Sequence, residues 1–309
     1  MTLDRRTFLA GMPVAALAFH APASAKADFT VPDGACDCHL HIYDSRFAYA
    51  PNAMLKPPFV TVDDYRRQVQ QRLGTSRAVV VTPSTYATDN RCMTDAVAQF
   101  AGNARGVAVI HADVPEAELQ ALHAAGVRGA RIQFGRGPIV SAEEVEPLAR
   151  RIAALGWHMQ FNIPGADCLA LGPVLLRLPC PMVFDHLAHV AMPDGLKSEH
   201  YGLIRKILDT GRAWVKLSSP YTDSVIGPPD YPDTSALARD YIAHNPERML
   251  TASNWPYPDV PAGSKDPLTL FNLLRSWAPD AKLRHRILVE NPEKLYGFDP
   301  KQRPKAVTT

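Results

Sequence analysis

"GACDCHLHI", residues 34–42, is a short apolar run that opens at a glycine and carries two histidines, His39 and His41. Its length and composition suit a buried β-strand. Residues two apart on a strand share a face, so His39 and His41 point the same way, as do Cys36 and Cys38. Seven runs of the same kind follow: "RAVVVTPS" (77–84), "RGVAVIHADV" (105–114), "VRGARIQF" (127–134), "WHMQFNI" (157–163), "PMVFDHL" (181–187), "AWVKLSS" (213–219) and "RMLTASNW" (248–255). The segments between them, among them "PEAELQALHAAG", "SAEEVEPLARRIAALG" and "GLIRKILDTG", have helical periodicity. They often end at a glycine, which suits the left-handed residue after a helix. Strands that alternate with helices imply a parallel sheet. Eight such units in about 270 residues predict a single-domain α/β fold, a closed (β/α)8 TIM barrel over residues 30–300. An open doubly wound sheet is the alternative, but no glycine-rich phosphate loop follows the first strand.

The 309 residues are 46% hydrophobic and 21% charged, ordinary for a globular chain. A formal net charge of +2 gives no electrostatic basis for binding nucleic acid or acidic membranes. No run is as long as a membrane-spanning helix. The first 25 residues differ from the rest. Paired arginines, Arg5 and Arg6, precede a modestly apolar stretch, and "APASA" then offers small residues at Ala23 and Ala25. That order reads as a twin-arginine-type export signal, with a mature chain from near Lys26 and a periplasmic location. Residues 301–309 read as a polar tail. Five cysteines without paired spacing make no disulfide framework. Cys36 and Cys38 are expected to pack as small apolar groups rather than to bind a soft metal.

In such a barrel the C-terminal strand ends carry the chemistry. Here those ends hold His39 and His41 on the first strand, Arg131 on the fourth, His186 on the sixth and Asn254 on the eighth. Arg131 presents a planar fork of donors suited to a carboxylate, and Arg136 flanks it. Ser84, Tyr86, Asn90 and Tyr221 are candidate contacts for substrate hydroxyls. His158 lies near a strand start and reads as structural; His189 has no assigned role.

"DCHLHIYD" (37–44), "FDHLAH" (184–189) and "ENPEKLYGF" (290–298) together resemble the amidohydrolase superfamily. "TPSTYATDN" (82–90) and "GVRGARIQF" (126–134) are similar to its branch containing 2-pyrone-4,6-dicarboxylate lactonase. The resemblance spans residues 33–298. It implies strand histidines that, in most members, hold a divalent metal with an eighth-strand aspartate. This chain departs from that pattern: the fourth strand offers Arg131, and the eighth offers Asn254. A neutral amide is a poor zinc ligand and a nearby arginine repels a cation. No metal is therefore expected, with one divalent ion such as zinc as the alternative. In the lactonase branch the resemblance implies that His39, His41 and His186 polarise a lactone carbonyl while an aspartate activates water. Asn254 has no useful proton affinity. What fits is an intramolecular transfer in which a substrate hydroxyl attacks the carbonyl. The resemblance thus points to a small-molecule sugar-acid lactone isomerase of the galactarolactone type. The alternatives are a lactone hydrolase using Asp44 or Asp185 as base, a metal-dependent hydrolase or decarboxylase, and a silent sugar-acid binder.

Overall fold

The structure, a computed structural model, describes residues 25–135 and 139–307. The expected export segment therefore lies outside the described residues, apart from Ala25, and so does Arg136. Eight strands run parallel in sequence order: β1 (Cys36–Leu40), β2 (Arg77–Val81), β3 (Ala104–Ala108), β4 (Val127–Gln133), β5 (His158–Asn162), β6 (Met182–Phe184), β7 (Ala213–Leu217) and β8 (Met249–Thr251). The ring closes where β1 meets the segment after β8. There Asn254 N–H donates to His39 C=O at 2.9 Å, and His41 N–H donates to Trp255 C=O at 2.8 Å. The strands follow the eight apolar runs, β3 starting one residue ahead of its own at Ala104, because a parallel strand covered on both faces has no polar face to interrupt it. The fold is thus a single (β/α)8 barrel.

Helices such as Glu116–Ala124, Val145–Ala153 and Glu199–Asp209 pack their apolar stripes on the outside of the ring. A second cluster lies within the ring: Cys36, Cys38, Val79, Val81, Val107, Val183, Trp214 and Leu250, with Tyr296 and Phe298 against it. The cysteines are all free and buried. The pairing of β1 with β2 shifts register between Asp37 and Leu40. A bulge of this kind re-aims side chains next to active sites. Here it lets Cys36 and Cys38 join the inner cluster lower down while His39 and His41 face the axis above them.

The inner positions become polar toward the strand ends. On β5 they run His158, Gln160, Asn162; on β7, Trp214, Lys216, Ser218. His158 is buried at the lower level, its ring edge-on to Tyr296 at 5.3 Å between centroids. It fits there because β4 carries Gly129, where a Cβ would meet the imidazole at 2.4 Å. The C-terminal residues strap the lower end. Pro304 C=O accepts from Gly34 N–H at 2.9 Å, Lys305 pairs with Asp33 at 2.8 Å, and Arg303 pairs with Glu293 at 2.9 Å. Among the described residues no helix is long and apolar enough to cross a membrane.

Candidate active site

A cavity of about 360 Å³ opens at the C-terminal strand ends. Its wall includes His41, Ser84, Arg131, Gln133, Asn162, His186, His189, Asp223, Asn254 and Asp259. The fold therefore brings His41, Ser84, Arg131, His186 and Asn254 together from five different strand ends. His39 does not line the cavity. It lies behind His41, fully buried, with its Nε2 3.1 Å from His41 Nε2.

His41 Nδ1 is 2.8 Å from Val81 C=O. A carbonyl only accepts, so His41 carries its proton on Nδ1, and its Nε2 presents a lone pair. Burial first, then the charge of Arg131, pushes the pKa of His41 down to about 3. It is a neutral ring, and with its N–H spent on Val81 it is not a carbonyl donor. His186 is held differently. Its Nδ1 meets Ser218 Oγ at 2.9 Å, which leaves Nε2 as the nitrogen for the cavity. Burial lowers the pKa of His186 well below the usual imidazole value, so this ring is neutral too.

His186 begins a turn in which four successive side-chain-bearing residues are left-handed: His186, Leu187, Ala188 and His189 have φ of 52°, 54°, 60° and 51°. Each such residue costs roughly 1–2 kcal/mol. Strain of this sort persists where surroundings over-determine it, commonly at functional sites. The turn delivers both His186 and His189 to the cavity wall. His189 Nδ1 lies 3.4 Å from Asp223, and its Nε2 lies 2.6 Å from Asn162 Oδ1. Asn254 is also left-handed, at φ 60°, a conformation asparagine tolerates better than most residues. Its Nδ2 donates to Tyr221 Oη at 3.1 Å.

Beneath the cavity is a fully buried charge cluster. Lys216 Nζ is 2.8 Å from Gln160 Oε1, 3.1 Å from Asp185 Oδ1 and 3.1 Å from His39 Nδ1. Gln160 Nε2 and Arg131 Nη2 reach the other oxygen of Asp185 at 3.1 and 3.4 Å. Burial would raise the pKa of Asp185, but the charges of Lys216 and Arg131 outweigh it and hold the carboxyl well below the usual range. Asp185 is a committed counter-ion and a poor base. Asp44, the other carboxylate considered as a base, is paired with Arg46 at 2.7 Å and does not line the cavity.

His39, Asp185 and His186 bring ligand atoms within 4.8 Å of one another, the spacing of a possible metal site. Their chemistry does not suit a divalent cation. Two of the three already face the Lys216 ammonium, and Arg131 adds a second positive charge. A third cation there meets repulsion from both.

Two expected substrate contacts prove to be scaffolding. Tyr86 Oη accepts from the Asp44 backbone N–H at 3.1 Å. Asn90 is saturated: Nδ2 donates to Thr88 and Val109 carbonyls, and Oδ1 accepts from Thr82 Oγ1 and Val109 N–H. Tyr221 reaches the site only through Asn254. Lys216, Gln160, Asp223 and Asp259 escaped the sequence reading. For the first two a signal existed: a lysine and a glutamine stand at mid-strand in "AWVKLSS" and "WHMQFNI", where an unpartnered polar group is costly.

An eightfold barrel with an H-x-H first strand, a sixth-strand histidine and a polar site at the strand ends defines an amidohydrolase-type protein. Residues 36–298 match the amidohydrolase family, and the chain belongs to it. Among known relatives it is 34% identical over 286 residues to a 2-pyrone-4,6-dicarboxylate hydrolase of Comamonas testosteroni, covering 88% of this chain and 92% of that protein. It is 32% identical over 275 residues to a D-galactarolactone isomerase of Agrobacterium fabrum, covering 87% and 93%. An apo crystal structure from Agrobacterium tumefaciens superposes with a TM-score of 0.81 at 31% identity, covering 91% of this chain and all of that one.

Proposed function

We propose that this protein is a lactone-transforming enzyme that works without a metal and converts a 1,5-lactone of a sugar diacid into its 1,4-lactone. The relatives that act on lactones supply the substrate class. The observation that carries the isomerase reading is Asn254 in the cavity wall at the end of β8, an amide where a water-activating carboxylate would serve hydrolysis. In the proposed reaction the lactone carbonyl takes a hydrogen bond from His186 Nε2–H, and the free carboxylate of the substrate lies against Arg131. Arg131 stands in the cavity wall, where a guanidinium suits a carboxylate. A substrate hydroxyl attacks the carbonyl carbon, the ring C–O bond breaks, and the departing ring oxygen becomes the new hydroxyl. One proton moves from the attacking oxygen to the departing one within the substrate. No net acid is formed. The tethered nucleophile needs little activation, since intramolecular attack has a high effective molarity.

A hydrolase reading draws on a different observation, the carboxylate–imidazole pair Asp223–His189 in the same wall. NMR of a 1,5-aldarolactone incubated with the protein separates the two. Rearranged lactone is expected as the main product, and free diacid as the main product would overturn the isomerase. Asn254→Asp is expected to add measurable diacid formation, because the new carboxylate can activate water against the same carbonyl. If the variant releases no more diacid than the parent, the amide at residue 254 is not what limits hydrolysis.

We also propose a periplasmic location, resting on Arg5–Arg6 and the small residues at Ala23 and Ala25. Replacing both arginines by lysine is expected to retain the precursor in the cytoplasm. An unchanged periplasmic yield would count against it.

A further inference from the structure

The contacts beneath the cavity form one continuous chain, and both of its ends are fixed. At one end Val81 C=O can only accept, so His41 donates from Nδ1 and has a bare Nε2. The next atom, His39 Nε2 at 3.1 Å, must then carry a proton and donate it. A neutral His39 with its proton on Nε2 has a lone pair on Nδ1. At the other end Asp185 is a carboxylate with acceptors only. Gln160 Nε2 donates to it at 3.1 Å, which turns Gln160 Oε1 toward Lys216. Lys216 Nζ thus faces three acceptors at 2.8, 3.1 and 3.1 Å: Gln160 Oε1, Asp185 Oδ1 and His39 Nδ1. An ammonium has three protons, one for each.

This assignment decides between two readings of the same atoms. His39 Nδ1 is also 3.2 Å from Asp185 Oδ1, the geometry of an ordinary imidazolium–carboxylate pair. A proton on His39 Nδ1 would point at an ammonium hydrogen as well as at the carboxylate. It would also make His39 an imidazolium, buried beside Lys216 and near Arg131. The two acceptors approach each other because they share the same lysine.

We propose that Lys216 is a positioning residue: its buried ammonium fixes His39 as the Nε2–H tautomer and, through the hydrogen bond that His41 Nε2 accepts from it, fixes the tautomer and orientation of the His41 ring in the cavity wall. The proposal accounts for a fully buried lysine that stands outside the cavity wall. It builds on the function proposed above only in taking the cavity that His41 lines as the place of reaction; the tautomers themselves are independent of any substrate. Removing an outer partner that orients an active-site histidine typically costs about 10–100-fold.

The test is ¹⁵N NMR of histidine-labelled protein without substrate, the rings assigned by single-histidine replacements. In the parent, His39 Nδ1 and His41 Nε2 are expected in the unprotonated range, and His39 Nε2 and His41 Nδ1 in the protonated range. In Lys216→Met, which keeps the length and loses the charge, His39 is expected to take its proton on Nδ1 and turn it to Asp185. In Lys216→Ala, about 10–100-fold of lactone turnover should be lost, with kcat falling more than KM. Added ethylammonium should restore part of it where tetramethylammonium, which has no N–H, does not. A proton on His39 Nδ1 in the parent overturns the proposal without any variant needing to fold. So does a Lys216→Met spectrum in which the His39 resonances are unmoved, or equal rescue by both cations. A protein inactive on every lactone tried but showing the expected parent spectrum would sink the proposed reaction and leave the lysine's role standing.

Discussion

Replacing His186 by alanine is expected to slow lactone turnover by ~10²–10³-fold, the usual cost of losing one preorganised donor to a developing oxyanion. With the Ser218 hydroxyl donating to its Nδ1, His186 presents Nε2–H to the cavity. His41 spends its Nδ1–H on Val81, and His39 spends its Nε2–H on His41. The Ser218 contact at 2.9 Å fixes the His186 ring from the other side, so its N–H requires no reorganisation when charge builds on the carbonyl oxygen. The loss is therefore expected in kcat, with KM changed little, because the interaction strengthens only in the transition state. The left-handed turn from His186 to His189 is held by its backbone and by buried Leu187 and Ala188, so alanine should leave the fold intact. The measurement is steady-state kinetics beside far-UV circular dichroism. A loss below roughly threefold in a folded variant would remove His186 from carbonyl polarisation, since that is far short of one donor.

The positions of the strands were legible in the sequence because parallel strands buried on both faces show as unbroken apolar runs. "RAVVVTPS" and "PMVFDHL" needed no partner to be recognised. The histidines, Arg131 and Asn254 were legible for the same reason: each is polar at the end of such a run. The orientation of the first strand was not. Period-two reasoning assigns His39 and His41 one face and cannot see a register shift, yet that shift lets Cys38 and His39 both contribute to the interior. It also cannot tell which of two histidines on one face lies in front. Lys216 was visible but unread: a lysine inside "AWVKLSS" must find a counter-charge, and the apolar run "PMVFDHL" carries one in Asp185. Tyr86 and Asn90 were misread because a loop's internal hydrogen bonds leave no periodic trace. Asp223 and Asp259 lie on loops whose path only the folded chain defines.

Lowering the pH from 7 to 5 is expected to remove about 4 kcal/mol of unfolding free energy through two imidazoles, His41 and His158. In the folded protein burial pushes both down to about 3, with Arg131 adding to the effect at His41 and Lys216 at His158. In the unfolded chain each titrates at its ordinary value near 6.5. The sign follows from proton uptake. Between about pH 6.5 and 3 the unfolded state binds a proton at each site and the native state does not, so stability falls as the pH falls. At pH 5 the unfolded chain lies about 1.5 units below its imidazole pKa, worth about 2 kcal/mol for each ring. His39 and His186 are shifted in the same direction, so they add to the loss. The depressed carboxylates, Asp185 among them, act the same way but only nearer pH 4 and below. Against a typical total of about 5–15 kcal/mol, such a change is a large fraction of the stability. Urea unfolding at pH 7 and pH 5 measures it: the midpoint should fall steeply while the slope against denaturant stays constant. A midpoint unchanged across that interval would mean that these rings are not held neutral in the folded protein, and with them would go the neutral His41 ring.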